Sequence, residues 1–544
     1  MKVNRIFSAC VFGLAVAALT SCSDASDAIE SIILNRNLSP INIQAKDVQE
    51  TSATITWDLS SGADVYEVQF FQDDSLSYGG TYDSQTDAVT PAKTISGVTA
   101  DDLPLLVEDL VYDTKYTVRV RAITSSDASR ISKWHGVYFR TSAQQILNSI
   151  KQGDYTDRSV TVSWPEGEEV TTIVVGNVTH QITEEEKAAG KATVTGLEPQ
   201  TVYTVYLLNN GKQRGNRTFT TLADLEGSIP VSNADELVAA VEAAQDGDAI
   251  ALIGPKYVIP YSGDDENITA GSLKITKSLT LKGVDAANRP IVNGRLEIND
   301  GAALTTSLII YDGEGTSGDQ AFNYKTAGVT YGALLIDNCE IKNYTKGVFY
   351  LNVASVVESV TFNNCIIHDI PCSGGDMFDS RAGLPKAFNL TNSTVYNSCA
   401  TRDFIRIDDA SSNFSGQPGP IVTVNKCTLY KVGNGNSNRQ LIYVRFAGNE
   451  VIFKNNLVME FNNTRGFTNQ SSCDPTPELQ NNYYYHTVNL ISLAEGNTQT
   501  VRWFDTDGTN LADNPCSQAE EADFTVDANS PVKSGNAGDP RWIK

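Results

Sequence analysis

Six short repeats between Ala333 and Tyr485 constrain the fold more than any other feature of this chain. In each repeat an apolar strand runs into a small polar pair and then into a second apolar strand. The copies read LLIDNCEI, VTFNNCII, FNLTNSTV, VTVNKCTL, VIFKNNLV and PELQNNYY. They recur about every 26 to 34 residues, a period that indicates a solenoid of stacked coils.

A further strand follows Gly-, Ser- and Asn-rich turns in most periods. Examples are GVFYLN, DMFDSR, DFIRID and QLIYVR, at residues 347–352, 376–381, 403–408 and 440–445. No helical pattern separates the strands, so leucine-rich and helical repeats fit poorly. Strands joined only by turns at a near-constant period predict an all-β fold of the parallel β-helix type, whose coils lie roughly 4.8 Å apart.

Asparagine recurs at one turn position in most of the repeats. The residues at this position are Asn338, Asn364, Asn392, Lys426, Asn455 and Asn481. Asparagine tolerates left-handed backbone geometry, and its amide can hydrogen-bond to the next coil. The column resembles the asparagine ladder of pectate-lyase-like right-handed β-helices. Because Lys426 interrupts the column, we expect that coil to turn differently.

The charge balance excludes one class of partner. The 544 residues carry a net charge of −24 at pH 7, so nucleic acid is not an expected partner because its phosphates would be repelled. An acidic glycan would need a local Arg/Lys patch or bridging Ca²⁺. The chain has only four histidines, which makes a histidine-based metal site improbable. Cys339, Cys365 and Cys427 share one repeat position, which predicts small packing residues rather than disulfides.

The first residues have the pattern of a secretory signal. Lys2 and Arg5 precede an apolar run that is too short for a lasting transmembrane helix. The Leu-Thr-Ser-Cys run that ends at Cys22 resembles a bacterial lipobox, which implies removal of residues 1–21 and lipidation of the Cys22 thiol. The acidic start of the linker, residues 22–39, resembles the export tag of surface lipoproteins in Gram-negative glycan-foraging bacteria. This resemblance implies a lipid-anchored protein on the outer face of the outer membrane, with glycan-import proteins as possible partners.

Two β-sandwich domains are predicted next, at residues 40–142 and 143–223. Each alternates short strands with turn clusters. The first contains Trp57 and a spacing around Tyr116 that resembles the fibronectin type III signature. The second contains the complete Leu-x-Pro-x-Thr-x-Tyr signature, ending at Tyr203. In this fold the tyrosine hydroxyl bonds to the backbone, and such domains are usually spacers.

An amphipathic helix is predicted near the start of the β-helix, which we assign to residues 224–515. Either Ser232 with Asp235 or Asn233 with Glu236 can form a capping box. A helix immediately before the first strand would cover the apolar end of the first coil. This order of elements resembles the start of pectate-lyase-like β-helices.

The last residues, 516–544, are predicted to form a second lid. Their DFTVDANSPV…GDPRW pattern resembles the C-terminal end of uncharacterised β-helix domains associated with pectin-utilisation loci. We expect Trp542 to cover the last coil. The resemblance to the β-helix family covers roughly the last 300 residues and includes no catalytic motif.

The candidate binding site is the outer face of the further strands. In DMFDSR, strand alternation points Phe378 and Ser380 inward and leaves Asp379 and Arg381 outside. The same rule predicts a grid of outward pairs on successive coils: Tyr350/Asn352, Asp379/Arg381, Arg406/Asp408 and Tyr443/Arg445. Tyrosine rings suit sugar faces. The run from Tyr483 to His486 adds further aromatic candidates, of which about half must face the core.

Several roles fit this grid. The resemblance to uronate lyases implies a catalytic base or carboxylate clamp among Arg381, Arg406 and Arg445, and Ca²⁺ bound by Asp379 and Asp408. A hydrolase is also conceivable, because the two carboxylates would be roughly 8 Å apart. Alternatively, opposite charges on stacked strands form an ordinary surface ladder, worth roughly 0.2–1 kcal/mol per pair. The sequence lacks the R-x-P-x-x-R-type run expected of a lyase.

The favoured hypothesis is a cell-surface lipoprotein that captures a pectic, uronate-containing polysaccharide of the polygalacturonate class. Its ligand-binding residues are predicted to be Tyr350, Asp379, Arg381, Arg406, Asp408, Tyr443 and Arg445. One alternative is a polysaccharide lyase that cleaves a uronate-containing glycan by β-elimination. Another is a non-glycan adhesin or structural stalk, for which replacing the three arginines together would leave the partner unaffected.

Overall fold

The computed structural model describes residues 35–77, 89–467 and 476–544. The predicted signal segment, the lipidation site Cys22 and most of the acidic linker lie outside these residues. Within them, no helix has the length and apolar character needed to cross a membrane. The chain divides into two compact units: the first runs to Gln145 and includes Gly211–Arg214, and the second contains the remaining residues.

The first unit contains a β-sandwich with the features expected of a fibronectin type III domain. Trp57 is buried in its core. The hydroxyl of Tyr116 accepts the backbone N–H of Val111 at 2.9 Å, which closes one end of the core. The strands are Ile41–Lys46, Ala53–Asp58 and Leu105–Val107 in one sheet, and Val65–Gln72, Lys93–Val98, Lys115–Thr124, Asp127–Ile131 and His135–Arg140 in the other.

A second, smaller sandwich begins the second unit. The hydroxyl of Tyr203 accepts the backbone N–H of Glu198 at 3.0 Å, as the signature predicts. Leu225, which follows this domain, packs against Ala251 and Ile253 in the first coils of the β-helix. The strands are Ser159–Ser163 and Lys191–Thr195 in one sheet, and Thr172–Val175, Val178–Gln181, Val202–Asn209 and Lys212–Thr220 in the other.

The β-helix consists of three long parallel sheets, and each coil contributes one strand to two or three of them. Each predicted repeat supplies a strand of the first sheet and a strand of the second, joined by the polar pair. The further strands of the repeat form the third sheet. The predicted parallel β-helix is therefore confirmed, and its inward side chains form one continuous apolar core.

The strands can be given sheet by sheet. The first sheet contains Ile229–Val231, Ala249–Leu252, Leu279–Gly283, Leu304–Ser307, Leu334–Asp337, Val360–Asn363, Ala387–Thr391, Ile421–Asn425, Glu450–Lys454 and Glu478–Gln480. The second contains Lys256–Val258, Ile291–Asn293, Ile310–Asp312, Glu340–Lys342, Ile366–His368, Thr394–Ser398, Thr428–Val432, Leu457–Met459, Tyr483–Tyr485 and Thr509–Asn510. The third contains Ser272–Ile275, Arg295–Ile298, Phe322–Tyr324, Phe349–Leu351, Phe378–Ser380, Ile405–Ile407 and Ile442–Val444. A short sheet adds Thr330–Tyr331, Val356–Val357 and Leu384–Pro385.

Helices are few and short in the described residues. The α-helices are Glu184–Ala189, Ala234–Ala243 and Pro531–Ser534, and the 3₁₀ helices are Ala100–Asp102, Ser411–Asn413, Ala519–Glu521 and Pro540–Trp542. The second α-helix is the predicted lid. Its N-cap Asn233 accepts the backbone N–H of Glu236 at 3.0 Å, and its buried Leu237 and Val241 join the β-helix core. A strand, Ile229–Val231, precedes this helix in the first sheet, so the helix is not the first element of the solenoid as expected.

The asparagine column occupies left-handed turns, as its composition predicts. All six residues have φ between 49° and 56°, and Lys426 at 56° adopts the same turn as its neighbours. The expectation that its coil turns differently is therefore wrong, because the adjacent coils impose the geometry. Amide contacts also differ from a simple ladder. Asn481 Nδ2 donates to Asn455 Oδ1 at 2.8 Å, whereas Asn392 Nδ2 donates to Asn363, one position earlier in the turn.

The next turn position points into the core. Its residues are Cys339, Cys365, Ser393, Cys427, Asn456 and Asn482, all buried. The cysteines are free thiols and act as small packing residues. Where asparagine replaces cysteine, its amide bonds to neighbouring coils: Asn456 Nδ2 donates to Asn482 Oδ1 at 3.1 Å. The buried polar contacts between coils therefore lie one residue after the predicted column.

The C-terminal segment runs along the side of the β-helix. The backbone N–H of Gly538 donates to the carbonyl of Asn455, and Arg541 Nη2 donates to Asn364 Oδ1 at 2.7 Å. Apolar residues of this segment pack on the outer side of the second sheet, against Tyr430, Leu457, Met459 and Tyr483. The prediction that Trp542 covers the last coil is wrong, since its indole N–H donates to Thr394, several coils away.

Other residues cover the last coil. Asp505 Oδ2 accepts the side-chain amide of Asn482 and the hydroxyl of Tyr484, both at 2.8 Å. Trp503 packs against the apolar core. The segment between the last long strands and the C-terminal segment therefore provides the lid that was assigned to Trp542.

Candidate functional site

The outer side of the third sheet carries the predicted grid in the predicted register. Strand pairing aligns Tyr350, Asp379, Arg406 and Tyr443 on four successive coils. The second column contains Asn352, Arg381, Asp408 and Arg445. The sequence therefore predicted which side chains become neighbours, while their role in binding stays a prediction.

Asp379 is not an exposed member of this grid. Only 1% of the surface of Asp379 is exposed, and Arg381 Nε donates to its Oδ1 at 2.6 Å. Burial raises the pKa of Asp379 to about 6, although the Arg381 guanidinium opposes this shift. Asp379 lies on the predicted side of the sheet but is covered by the side chain two residues later, so the expectation that it is exposed is wrong, while its contact with a ligand stays a prediction.

Two buried aspartates, each two residues before a third-sheet strand, contact the arginines from the side that faces the protein. Asp376 Oδ2 accepts Arg381 Nη2 at 2.6 Å and lies 3.5 Å from Arg406 Nη1. Asp403 Oδ2 lies 3.6 Å from Arg406 Nη1. Neither aspartate was predicted as part of the site. The sequence contained a signal for both aspartates, because each is the first residue of its third-strand run, DMFDSR or DFIRID.

Asp408 lies among three guanidinium groups. Arg406 Nε donates to its Oδ1 at 2.8 Å, Arg445 Nη2 lies 2.7 Å away and Arg381 Nη1 lies 3.6 Å away. Burial would raise the pKa of Asp408, but Arg406 and Arg445 hold it below the ordinary value. The carboxylate is therefore ionised and already neutralised by protein cations.

This arrangement does not fit the predicted Ca²⁺ site. Calcium requires six to eight oxygen ligands, whereas Asp379 is enclosed and Asp408 is surrounded by arginine nitrogens. Across the described residues, no group of three His, Cys, Asp or Glu side chains is placed to hold a metal ion. A divalent cation at Asp408 would have to replace guanidinium groups that already neutralise the carboxylate.

The arginines are also poorly suited to act as a catalytic base. Burial lowers the pKa of Arg406, but its hydrogen bond to Asp408 and the charges nearby outweigh this effect and raise the pKa above the ordinary arginine value. The pKa of Arg381 is raised in the same way by Asp379. A base must release its proton, so these shifts favour a carboxylate clamp over proton abstraction.

The two grid tyrosines differ in availability. The guanidinium carbons of Arg406 and Arg445 lie 5.3 and 5.2 Å from the ring centroid of Tyr443, within cation–π range. Tyr350 is half-buried, and within the described residues its side chain makes no hydrogen bond or ring contact. Tyr350 is therefore the better platform for a sugar ring.

The tyrosine run after the last repeat offers little aromatic surface. Tyr484 is buried in the core, and Tyr483 lies beneath the C-terminal segment. Tyr485 is partly buried in the same lateral cluster. His486 is exposed and lies 2.9 Å from Glu460. Steric cover by the C-terminal segment removes most of these residues from the candidate site.

A row of arginines borders the grid, and the repeat pattern of the sequence did not predict it. The row consists of Arg402, Arg439 and Arg465, in the runs RDFI, RQLI and RGF. Each arginine immediately precedes a buried residue at the point where its coil enters the third side of the β-helix. Backbone hydrogen bonds from Phe404 to Gln440 and from Leu441 to Gly466 place these arginines at equivalent positions on three successive coils. We call these three residues the arginine row.

Comparisons with known proteins match three parts of the chain. Residues 38–135 match the fibronectin type III domain. Residues 265–398 match "Domain of unknown function (DUF4957)", and residues 422–542 match "Domain of unknown function (DUF5123)". No similar sequence was found among curated proteins.

Solved structures with fibronectin type III domains are similar to part of the chain. The two-domain segment of chicken tenascin is 17% identical with a TM-score of 0.23, covering 34% of this chain and 99% of that one. The central fibronectin-III array of RIM-binding protein is 17% identical with a TM-score of 0.14, covering 36% and 65%. The FN1–FN3 domains of chicken CNTN1 are 14% identical with a TM-score of 0.17, covering 36% and 70%.

These domains are compatible with a carbohydrate-binding or adhesin-like surface protein. The two unknown-function matches fall on the β-helix, which carries the grid and the arginine row. The chain therefore combines a fibronectin type III domain with a β-solenoid that matches two domains of unknown function.

Proposed function

We propose that this protein is a cell-surface lipoprotein that binds an acidic polysaccharide of the pectin or polygalacturonate class. The observation that carries the proposal is the concentration of arginines on and beside the third sheet of a chain whose net charge is −24. In such a chain a cationic surface is not a consequence of overall composition. It concentrates anion-binding groups on one part of the β-helix.

The local charges favour an anionic ligand. Six arginines lie in this surface: Arg381, Arg402, Arg406, Arg439, Arg445 and Arg465. Four aspartates lie among them, Asp376, Asp379, Asp403 and Asp408, and Asp409 lies close enough to interact with Arg445. Six positive against five negative charges leave an excess of one positive charge. Guanidinium groups bind carboxylates through paired N–H donors, so a uronate fits this surface better than a neutral sugar.

Tyr350 supplies the other requirement for a glycan. An aromatic ring covers the apolar face of a pyranose while losing little side-chain freedom. Tyr350 lies one coil before the buried Asp379, beside the arginines of the grid. A sugar stacked on Tyr350 would therefore place its carboxylate near Arg381.

The anchor and location form part of the same proposal. Cleavage before Cys22 and lipidation of its thiol would attach the chain to the outer membrane, and the two sandwich domains would act as spacers. Glycan-import proteins of that membrane are the expected partners. Metabolic labelling with a palmitate analogue tests the anchor, since Cys22→Ser is expected to abolish incorporation.

Affinity electrophoresis against a panel of plant glycans tests the binding function. Polygalacturonate in the gel is expected to retard the protein, and Arg445→Ala is expected to weaken retardation. Lys386→Ala is the matched control, because Lys386 is paired with Glu358 at the start of a first-sheet strand. Failure of every acidic glycan to retard the protein would refute the proposal and leave the adhesin or stalk alternative.

The same incubations test the lyase alternative. β-Elimination gives unsaturated products that absorb ultraviolet light. Because the pKa values of Arg381 and Arg406 are raised, we expect no gain in absorbance with or without Ca²⁺. A gain that Arg406→Ala abolishes would establish the lyase activity instead.

A further inference from the structure

The arginine row repeats along the axis of the β-helix. Arg402, Arg439 and Arg465 occupy one position on three successive coils, as their neighbouring backbone hydrogen bonds show. Coils of a parallel β-helix are separated by roughly 4.8 Å. The row therefore presents one guanidinium group per coil, in a line that runs across the strands.

Of the three arginines in this row, only Arg439 is paired with a described carboxylate. Arg439 Nη1 lies 3.3 Å from Asp403 Oδ2, an oxygen that also lies 3.6 Å from Arg406. Arg465 donates to the neutral amide oxygen of Gln499 at 2.9 and 3.2 Å. Arg402 is half-buried and forms no hydrogen bond or ion pair with any residue that the structure describes.

Because Arg402 and Arg465 have no described carboxylate partner, the row carries positive charge that attracts an anion. A single small anion could contact one or two of these residues. An anion that repeats at the same interval could neutralise all three. A linear chain of uronic acids has this property, because each pyranose carries one carboxylate and is close in length to one coil spacing.

The direction of the ligand follows from the pattern of charge. Along a single third-sheet strand the signs alternate, as in Arg406 followed by Asp408. Across the strands, the row contains only cations. A polyanion therefore meets repulsion if it follows one strand and attraction if it crosses successive coils.

We infer that the ligand is a linear chain of consecutive uronates that lies parallel to the β-helix axis, with successive carboxylates on Arg402, Arg439 and Arg465. This inference rests on the proposed binding of an acidic polysaccharide and specifies its chemistry. The shared Asp403 oxygen connects the row to Arg406. Tyr350 lies two coils before the coil of Arg402, so its ring would meet only a chain longer than the three uronates on the row.

Calorimetric titration of the full protein with galacturonate oligomers of increasing length tests this inference. Affinity is expected to rise about tenfold between the dimer and the tetramer, because a dimer reaches only two arginines of the row whereas a tetramer reaches all three. Arg402→Ala, Arg439→Ala and Arg465→Ala are each expected to weaken tetramer binding about fivefold. Lys386→Ala should bind as the unchanged protein does.

Arg402→Ala is the decisive variant, because this side chain has no described hydrogen-bond or ion-pair partner whose loss would disturb the fold. Thermal unfolding of each variant is measured alongside binding. If polygalacturonate binds but the row variants match Lys386→Ala, or if the dimer binds as tightly as the tetramer, this inference is overturned and the proposed function stands. If no acidic glycan binds, both are overturned.

Discussion

Asp376 Oδ1 accepts the backbone N–H of Asp403 at 3.0 Å, so a buried carboxylate on one coil holds the start of the next. Asp403 repeats the contact by accepting the backbone N–H of Gln440 at 2.8 Å. The second oxygen of each aspartate faces the arginines. These two aspartates thus connect the backbone of the β-helix to the proposed binding surface.

Removing the carboxylate of Asp376 should destabilise the β-helix. Asp376→Ala leaves the N–H of Asp403 without its acceptor and removes a buried partner of Arg381, so we expect a loss of about 3 kcal/mol. Chemical denaturation followed by circular dichroism measures this change. The control is Asp409→Ala on an exposed residue of the neighbouring coil. Equal unfolding midpoints for the two variants would show that the buried contact is unimportant.

Glu340 and His368 should make stability depend on pH. The hydrogen bond from His368, assisted by Lys342, lowers the pKa of Glu340 to about 2. Because this value lies below the ordinary 4.5, the ionised glutamate stabilises the fold above pH 4.5, and that stability is lost as the pH falls towards 2. Glu340→Gln should therefore cost about 2 kcal/mol at pH 6 and progressively less below pH 4.5.

His368 sets the upper end of the pH range in which its interaction with Glu340 stabilises the fold. Burial lowers the pKa of His368, but its hydrogen bonds to Glu340 and Asp369 raise it above the ordinary 6.5. The charged histidine therefore contributes stability below pH 6.5, and this contribution is lost as the pH rises through the raised value. Unfolding midpoints measured across pH for the unchanged protein and Glu340→Gln check both limits. A difference that stays constant with pH would contradict this assignment.

The C-terminal segment should detach when its buried carboxylate is removed. Asp539 accepts the hydroxyl of Thr394 at 2.7 Å, and its N–H donates to the hydroxyl of Thr428 at 3.0 Å. Asp539→Ala is expected to cost roughly 2 kcal/mol in the docking of this segment and to expose it to protease. Limited proteolysis with mass analysis measures the release, with Asp513→Ala as the exposed control. Unchanged cleavage would indicate that apolar packing alone holds the segment.

The buried thiols should be unreactive in the folded protein. Burial raises the pKa of Cys339 to about 12 and that of Cys516 to about 12. Alkylation at pH 8 is therefore expected to leave peptides with Cys339, Cys365, Cys372, Cys399, Cys427 and Cys516 unmodified until a denaturant is added. Rapid labelling of these peptides in the native protein would contradict the burial of the six thiols.

The coil register was predictable because strand, turn and strand recur with the same inward pattern. The alternation of inward and outward residues along a strand does not predict whether a neighbouring side chain covers an outward one. Asp379 is on the expected side of the sheet, yet Arg381 folds back and covers it. Lys426 failed as a predictor because neighbouring coils impose a left-handed turn that lysine can adopt.

The sequence did not reveal the arginine row, and it placed the C-terminal segment on the wrong surface, for different reasons. Loops of unequal length separate Arg402, Arg439 and Arg465, so a fixed period does not align them; only the apolar runs that follow each arginine do. Trp542 bonds to Thr394, which is 148 residues earlier. No local pattern encodes contacts at that separation, so the sequence predicted a C-terminal cap but placed it on the wrong surface.

Recognition of carboxylates by the arginines is the central claim, and chemical esterification tests it most directly. Polygalacturonate and the same polymer with its carboxylates methyl-esterified have the same sugar backbone and differ in charge. Titration of both at one ionic strength should show that esterification weakens binding about tenfold or more, because each lost carboxylate removes a charge-assisted hydrogen bond. Equal affinity for the two polymers would contradict the account.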